Sequence, residues 1–124
     1  MKVVDSGVII DFLLGGLDPH VLESEGLAVP HLIDSEVTHV LRRLVQRGDL
    51  SEERGQLAVG AFVEISLVRW SVSDLRLRMW ELKDNVTGYD ATYVALAEWL
   101  GVPLLTTDRR LARAPGLRCP VEVV

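Results

Sequence analysis

Short unbroken apolar runs alternate along this chain with stretches whose apolar positions recur every three or four residues. The runs at residues 2–5 (KVVD), 26–30 (GLAVP), 66–70 (SLVRW), 102–106 (VPLLT) and 121–124 (VEVV) predict strands. Helical spacing predicts helices over residues 6–16, closed by Gly15 and Gly16, and over 31–47, closed by Gly48. Further helices are expected at 18–24 with Pro19 in the first turn, at 51–65 with Ser51 as N-cap, and at 73–85. Residues 89–100, stopped by Gly101, and one turn at 109–113 complete the set. The strand-like runs are continuous rather than alternating, which marks strands buried on both faces. The pattern therefore predicts an α/β fold whose mostly parallel central sheet is flanked by helices, with right-handed crossovers between its strands.

With 124 residues the chain is expected to form a single domain, 1–124, large enough to build a core without disulfides or a structural metal. Cys119 is the only cysteine, so no intrachain disulfide can form, which suits a reducing cytosol. No apolar run reaches membrane-spanning length and no signal-peptide pattern opens the chain; a soluble, cytoplasmic protein is the expectation, with no membrane partner. At 48% the hydrophobic content is high for a soluble chain, so some apolar surface is expected to be covered by a partner. The net charge of −5 argues against broad electrostatic attraction to nucleic acid, except that a metal in an acidic site inverts the local field.

The candidate chemistry lies in carboxylates. Asp5 and Asp108 each follow a predicted strand, and in open α/β sheets sites form beyond the carboxyl ends of strands. Asp90 falls in the first turn of its helix. On the helix at 31–47, Asp34 and Glu36 lie on opposite edges of the apolar stripe, each roughly 80° from its centre, so periodicity cannot choose between them. Each acid also has a structural role open to it: Asp5 and Asp108 as helix N-caps, Asp90 in a capping box with Thr87, Glu36 as a solvated flank. Gathered at one rim, they would repel one another unless a hard divalent cation such as Mg²⁺ or Mn²⁺ lay among them, and such sites often hydrolyse phosphoesters.

The stretches VVDSGVIIDFLLG, PHLIDSEVTHVLRRL and YDATYVALAEWLGVPLLTTDRRLA, in that order, resemble the PIN-domain family, specifically the VapC-type ribonuclease toxins of toxin–antitoxin pairs. The resemblance covers nearly the whole chain, with residues 48–80 least distinctive. It implies a PIN-like α/β/α sandwich whose acids bind Mg²⁺ or Mn²⁺ and cut RNA. Position by position, Asp5, Glu36, Asp90 and Asp108 match the family's acidic quartet, catalytic and metal-binding. The motif thereby selects Glu36 over Asp34. Ser6 and Thr106 match hydroxyl residues that orient carboxylates. Gly7 departs from the pattern, in which a residue with a side chain is more usual, and this implies looser local geometry there. Implied partners are a VapB-type antitoxin covering the site and an apolar groove, an RNA substrate, and a second copy in a homodimer, heterotetramer or larger complex.

Arg42 and Arg43 with Arg47, and Arg109 and Arg110 with Arg113, are candidates to hold the RNA backbone, since guanidinium groups match phosphate geometry. The alternatives are a catalytically weak PIN-like binding module and another Mg²⁺-dependent phosphoesterase. A haloacid-dehalogenase-type phosphatase would need D-x-D where Asp5-Ser6-Gly7 stands, and a receiver domain a lysine where Arg109 stands. His20, His31 and His39 form no metal motif, Cys119 has no partner for nucleophilic work, and Trp70, Trp80 and Trp99 are expected mainly in the core, with an interface patch open to one of them.

Overall fold

The structure, a computed structural model, describes residues 1–23 and 26–124. Among these residues the chain forms β1 (Lys2–Val4), α1 (Ser6–Leu13), β2 (Leu27–Pro30), α2 (Leu32–Gln46), α3 (Glu52–Glu64), β3 (Val68–Trp70), α4 (Arg76–Glu81), α5 (Gly88–Leu100), β4 (Leu104–Thr106), α6 (Arg109–Ala112) and β5 (Val121–Val123). The strands make one sheet in the order β3-β2-β1-β4-β5, and every pairing is parallel, so the expected mostly parallel sheet is wholly so.

The order follows from how the strands are connected. The chain steps outward from β1 to β2 and β3, then returns to lay β4 on the other side of β1. Helices α1, α2 and α3 pack together, as do α4 and α5, and right-handed crossovers assign these two groups to opposite faces of the sheet. The fold is thus the expected α/β/α arrangement. Val3 and Val4 of β1 and Leu104 and Leu105 of β4 are almost fully buried, as strands covered on both faces must be. Each such side chain stabilises the fold by about 1.5–3 kcal/mol relative to exposure. Helix α5 buries every residue from Ala91 to Ala97, which explains why its sequence is apolar nearly all round. Gly101 ends it at φ 67°, a left-handed cap conformation that favours glycine.

Two helices are shorter than expected. Asp18 caps a 3-10 turn at Pro19–Leu22 by accepting from the His20 N–H at 3.0 Å; Ser24, the end of the predicted helix, lies outside the described residues. The helix expected over 73–85 is a 3-10 turn at Ser73–Leu75 followed by α4 alone. Leu75 leaves helical geometry (φ −105°, ψ 3°) as its side chain enters the core, and Leu82, also buried, ends the helix. Trp80 and Trp99, expected in the core, are instead 68% and 67% exposed, while Trp70 is half-buried. Among the described residues no helix is long and apolar enough to cross a membrane.

Candidate functional site

Strand order reverses between β1 and β4, and at such a switch point the loops beyond the strand ends diverge and leave a crevice. Asp5 stands there because the β1–β4 ladder runs on to its own amide, which donates to the Leu105 carbonyl at 3.2 Å. It is also the N-cap of α1: its Oδ1 accepts the Val8 N–H at 3.0 Å. Its Oδ2 accepts the Thr106 hydroxyl at 2.5 Å. The same hydroxyl accepts the Asp108 N–H at 3.0 Å, and Asp108 in turn caps α6 by accepting the Arg110 N–H at 2.8 Å. The capping roles that residue type alone suggests are therefore present. They also tie together two acids that stand just beyond the ends of neighbouring strands, through one fully buried threonine.

Burial pushes the Asp5 carboxyl up to about 6, opposed by its hydrogen bonds to Thr106 and Val8 and reinforced by the charges of Asp90 and Glu36. Asp90 is also raised, mainly by burial, with Asp108 adding repulsion and Thr87 opposing it. Thr87 caps α5 by accepting the Asp90 N–H at 3.1 Å. The four acids are thus electrostatically linked, Asp5 to Glu36 and Asp90, and Asp90 to Asp108.

Glu36 and Asp34 part company in the structure. Asp34 takes a bidentate bond from Arg69 on β3, both N–O distances being 2.7 Å, and this guanidinium holds its carboxyl below the usual range. Glu36 instead accepts the Tyr93 hydroxyl at 2.5 Å and acts on Asp5. Tyr93, three residues after Asp90 on α5, is buried, and burial together with Glu36 keeps its hydroxyl protonated. Ser6, at the start of α1, lies close enough to act on the Tyr93 hydroxyl, opposing that effect. Sequence reasoning missed Tyr93, whose spacing marks it only as a core position. Its place one helical turn after an acid was the available signal.

Gly7 is not loosely packed. A Cβ there would lie 2.8 Å from the Thr107 hydroxyl and 3.5 Å from Asp5 Oδ1, so its bare backbone admits Thr107 beside the acid. Asp90 and Asp108 open into a hollow of about 570 Å³ with Lys83, Thr87 and Arg110 on its walls. Glu36 faces a second hollow, of about 490 Å³, with Ser35, His39 and Tyr89. Of the candidate arginines, Arg110 and Arg109 begin α6 at this rim. Arg42 lines a groove between α2 and α3 with Leu41, Val45 and Val59, and Arg43 is exposed near the far end of α2. Cys119 is half-buried, and burial raises its thiol to about 11, so it carries no reactive thiolate.

The donor set, carboxylate oxygens backed by hydroxyls, suits a hard divalent cation. Among the described residues no three of the acids already close on one point as ligands, so they line the rim in linked pairs. Their mutual repulsion is the physical reason a cation would draw them inward.

Residues 2–117 match the family described as "PIN domain". The chain is 41% identical to Ribonuclease VapC9 of Mycobacterium tuberculosis, over all of this chain and 98% of that protein. It is 44% identical to Ribonuclease VapC1 of the same organism, over 98% of this chain and 96% of that one. Among solved structures the fold is similar to that of VapBC2 from Rickettsia felis bound to a DNA fragment from its promoter. That match has a TM-score of 0.73, with 13% identity, over 99% of this chain and 98% of that one.

Proposed function

The chain belongs to the PIN-domain family, and from that premise we propose that it is a metal-dependent endoribonuclease, the toxin of a toxin–antitoxin pair. The single observation that carries this reading is the buried Asp5, tied through Thr106 to Asp108 and facing the charges of Glu36 and Asp90. So much negative charge at a switch point is unfavourable without a cation. Relatives of the same length that bear the name ribonuclease VapC support the choice of RNA.

Asp5, Glu36, Asp90 and Asp108 hold Mg²⁺ or Mn²⁺. When bound, the cation offsets carboxylate charge, activates water and steadies charge developing on the phosphate oxygens. The protein's own groups set the geometry. Thr106 fixes Asp5 relative to Asp108, Tyr93 fixes Glu36, and Ser6 stands beside Tyr93. Arg110, exposed at the mouth of the acidic hollow, meets the RNA backbone with Arg109 beside it. Arg42 and Arg43 bind the strand further along.

A VapB-type antitoxin is the protein partner, supported by the likeness of this fold to chains solved in VapBC complexes. The apolar groove between α2 and α3 and the exposed Leu57 and Val63 of α3 suit a segment of that partner. A second copy completes a homodimer, which the antitoxin joins in a heterotetramer or larger complex.

The test is incubation of antitoxin-free protein with total RNA in Mg²⁺ or Mn²⁺. Discrete cleavage that EDTA and Asp90→Asn both abolish is the expected result. Intact RNA, with calorimetry still recording metal binding that Asp90→Asn weakens, would move the function to another phosphoester or to a binding role.

A further inference from the structure

Two large aromatic side chains stand exposed on either side of the acidic rim. Trp80 is 68% exposed on α4 and Tyr89 is 65% exposed in the first turn of α5, next to Asp90. Trp80 lines a hollow of about 450 Å³ whose walls include Arg76, Lys83, Val86 and Thr87. Lys83, Val86 and Thr87 also wall the hollow that holds Asp90 and Asp108, so the two adjoin. On the other side Tyr89 shares the hollow of Glu36. Asp90 and Asp108 thus share a hollow with residues beside Trp80, and Glu36 shares one with Tyr89.

The charges beside Trp80 define the ligand that suits it. The Lys83 ammonium sits 5.0 Å from the centroid of its ring, in cation–π range. Lys83 meets Asp84 only at 3.9 Å, and Arg76 bonds a backbone carbonyl rather than an acid. Arg78, by contrast, is consumed by Glu98, Glu81 and the Gly116 carbonyl. An exposed indole beside Lys83 and Arg76, adjoining an acidic rim, matches a ligand that is flat and apolar in one part and anionic in the next. Successive nucleotides of a single strand have that character.

We propose that Trp80 and Tyr89 form a two-sided stacking platform that holds single-stranded RNA across the carboxylate rim, Trp80 taking one base, Tyr89 another, and Lys83 the phosphate beside Trp80. The assignment rests on the ribonuclease reading. It makes both aromatics binding residues and makes the preferred substrate unpaired, since a duplex has no free base faces to offer.

The experiment uses an unstructured RNA of about 12 nucleotides, within the reach of a single-strand groove, first with wild type in Mg²⁺ to establish cleavage, then with Trp80→Ala, Trp80→Phe and Tyr89→Ala. Steady-state cleavage is paired with anisotropy of the labelled RNA in EDTA, and sedimentation records the oligomeric state. Trp80→Ala is expected to raise KM and weaken RNA binding roughly 5- to 100-fold, with kcat within about two-fold. Trp80→Phe should recover most of the loss, and annealing a complementary strand should abolish binding by wild type. If wild type cuts the RNA and both alanine variants match it in KM and binding, the platform is overturned while the ribonuclease reading stands. The platform is overturned equally if Trp80→Ala changes only the sedimentation, which would make the patch a protein interface. If wild type neither binds nor cuts the RNA, the ribonuclease reading falls and the platform with it.

Discussion

The Thr106 hydroxyl donates to Asp5 Oδ2 at 2.5 Å, and both groups are buried. Because the same oxygen accepts the Asp108 amide, Thr106 links the ends of β1 and β4. Replacing it by valine keeps its shape but leaves a buried carboxylate oxygen and an amide without their partner. Thr106→Val is expected to destabilise the fold by about 1–3 kcal/mol in urea denaturation. Thr106→Ser should recover most of it. A valine variant as stable as wild type would mean that the bond contributes nothing in solution.

Asp5 makes stability depend on pH in an unusual direction for a carboxylate. Its folded value, about 6, lies above the 3.8 of the unfolded chain. The folded state therefore binds the proton more tightly, and Asp5 contributes stability fully only below about 3.8, losing it as pH rises towards 6. In EDTA, Asp5→Asn should melt higher than wild type above about pH 6, with the gap closing towards about pH 4. Mg²⁺ should narrow the gap at about pH 7.5 by favouring the ionised wild type. A gap independent of pH would show that charge is not the cause.

Tyr93→Phe removes the hydroxyl that holds Glu36 and leaves the buried ring in place. The expected stability loss is small, about 0.5–1.5 kcal/mol. Activity should fall further, about ten-fold or more in kcat or in metal affinity, because Glu36 loses its anchor. Cleavage kinetics over a range of Mg²⁺ concentrations separate the two.

The neighbouring acids Asp34 and Glu36 should give opposite results. Asp34→Asn breaks the bridge to Arg69, which is partly exposed, so it costs at most about 1 kcal/mol, shrinking with salt, and spares activity. Glu36→Gln should abolish cleavage with little change in melting temperature. Equal effects on activity would remove Glu36 from the site.

Why that pair could not be separated from the sequence alone is now physical. Both lie at the edge of the same apolar stripe, and what distinguishes them comes from elsewhere: Arg69, 35 positions beyond Asp34, and Tyr93, 57 beyond Glu36. The inner strands β1, β2 and β4, by contrast, were legible because burial on both faces leaves them uninterrupted apolar runs, whereas the edge strands β3 and β5 are partly exposed and carry Arg69 and Glu122; Asp5 and Asp108 were legible because each stands close behind an inner run. The helix expected over 73–85 misled because its apolar positions serve two ends, Leu75 and Leu82 facing the core while Leu77 and Trp80 face solvent. Helical spacing records that residues share a face, not which face meets protein.

The strand order also sets a timetable. β1 is the first strand made and lies at the centre of the sheet, and β4, which must dock beside it, comes about a hundred residues later. The bond between Thr106 and Asp5 spans 101 positions, so it cannot form until β4 has been synthesised and has left the ribosome. Until then Asp5 stands without its neighbour and Asp108 does not yet exist. A chain halted short of β4 therefore carries Asp5, Glu36 and Asp90 without Asp108, and without the threonine that holds Asp5 in place.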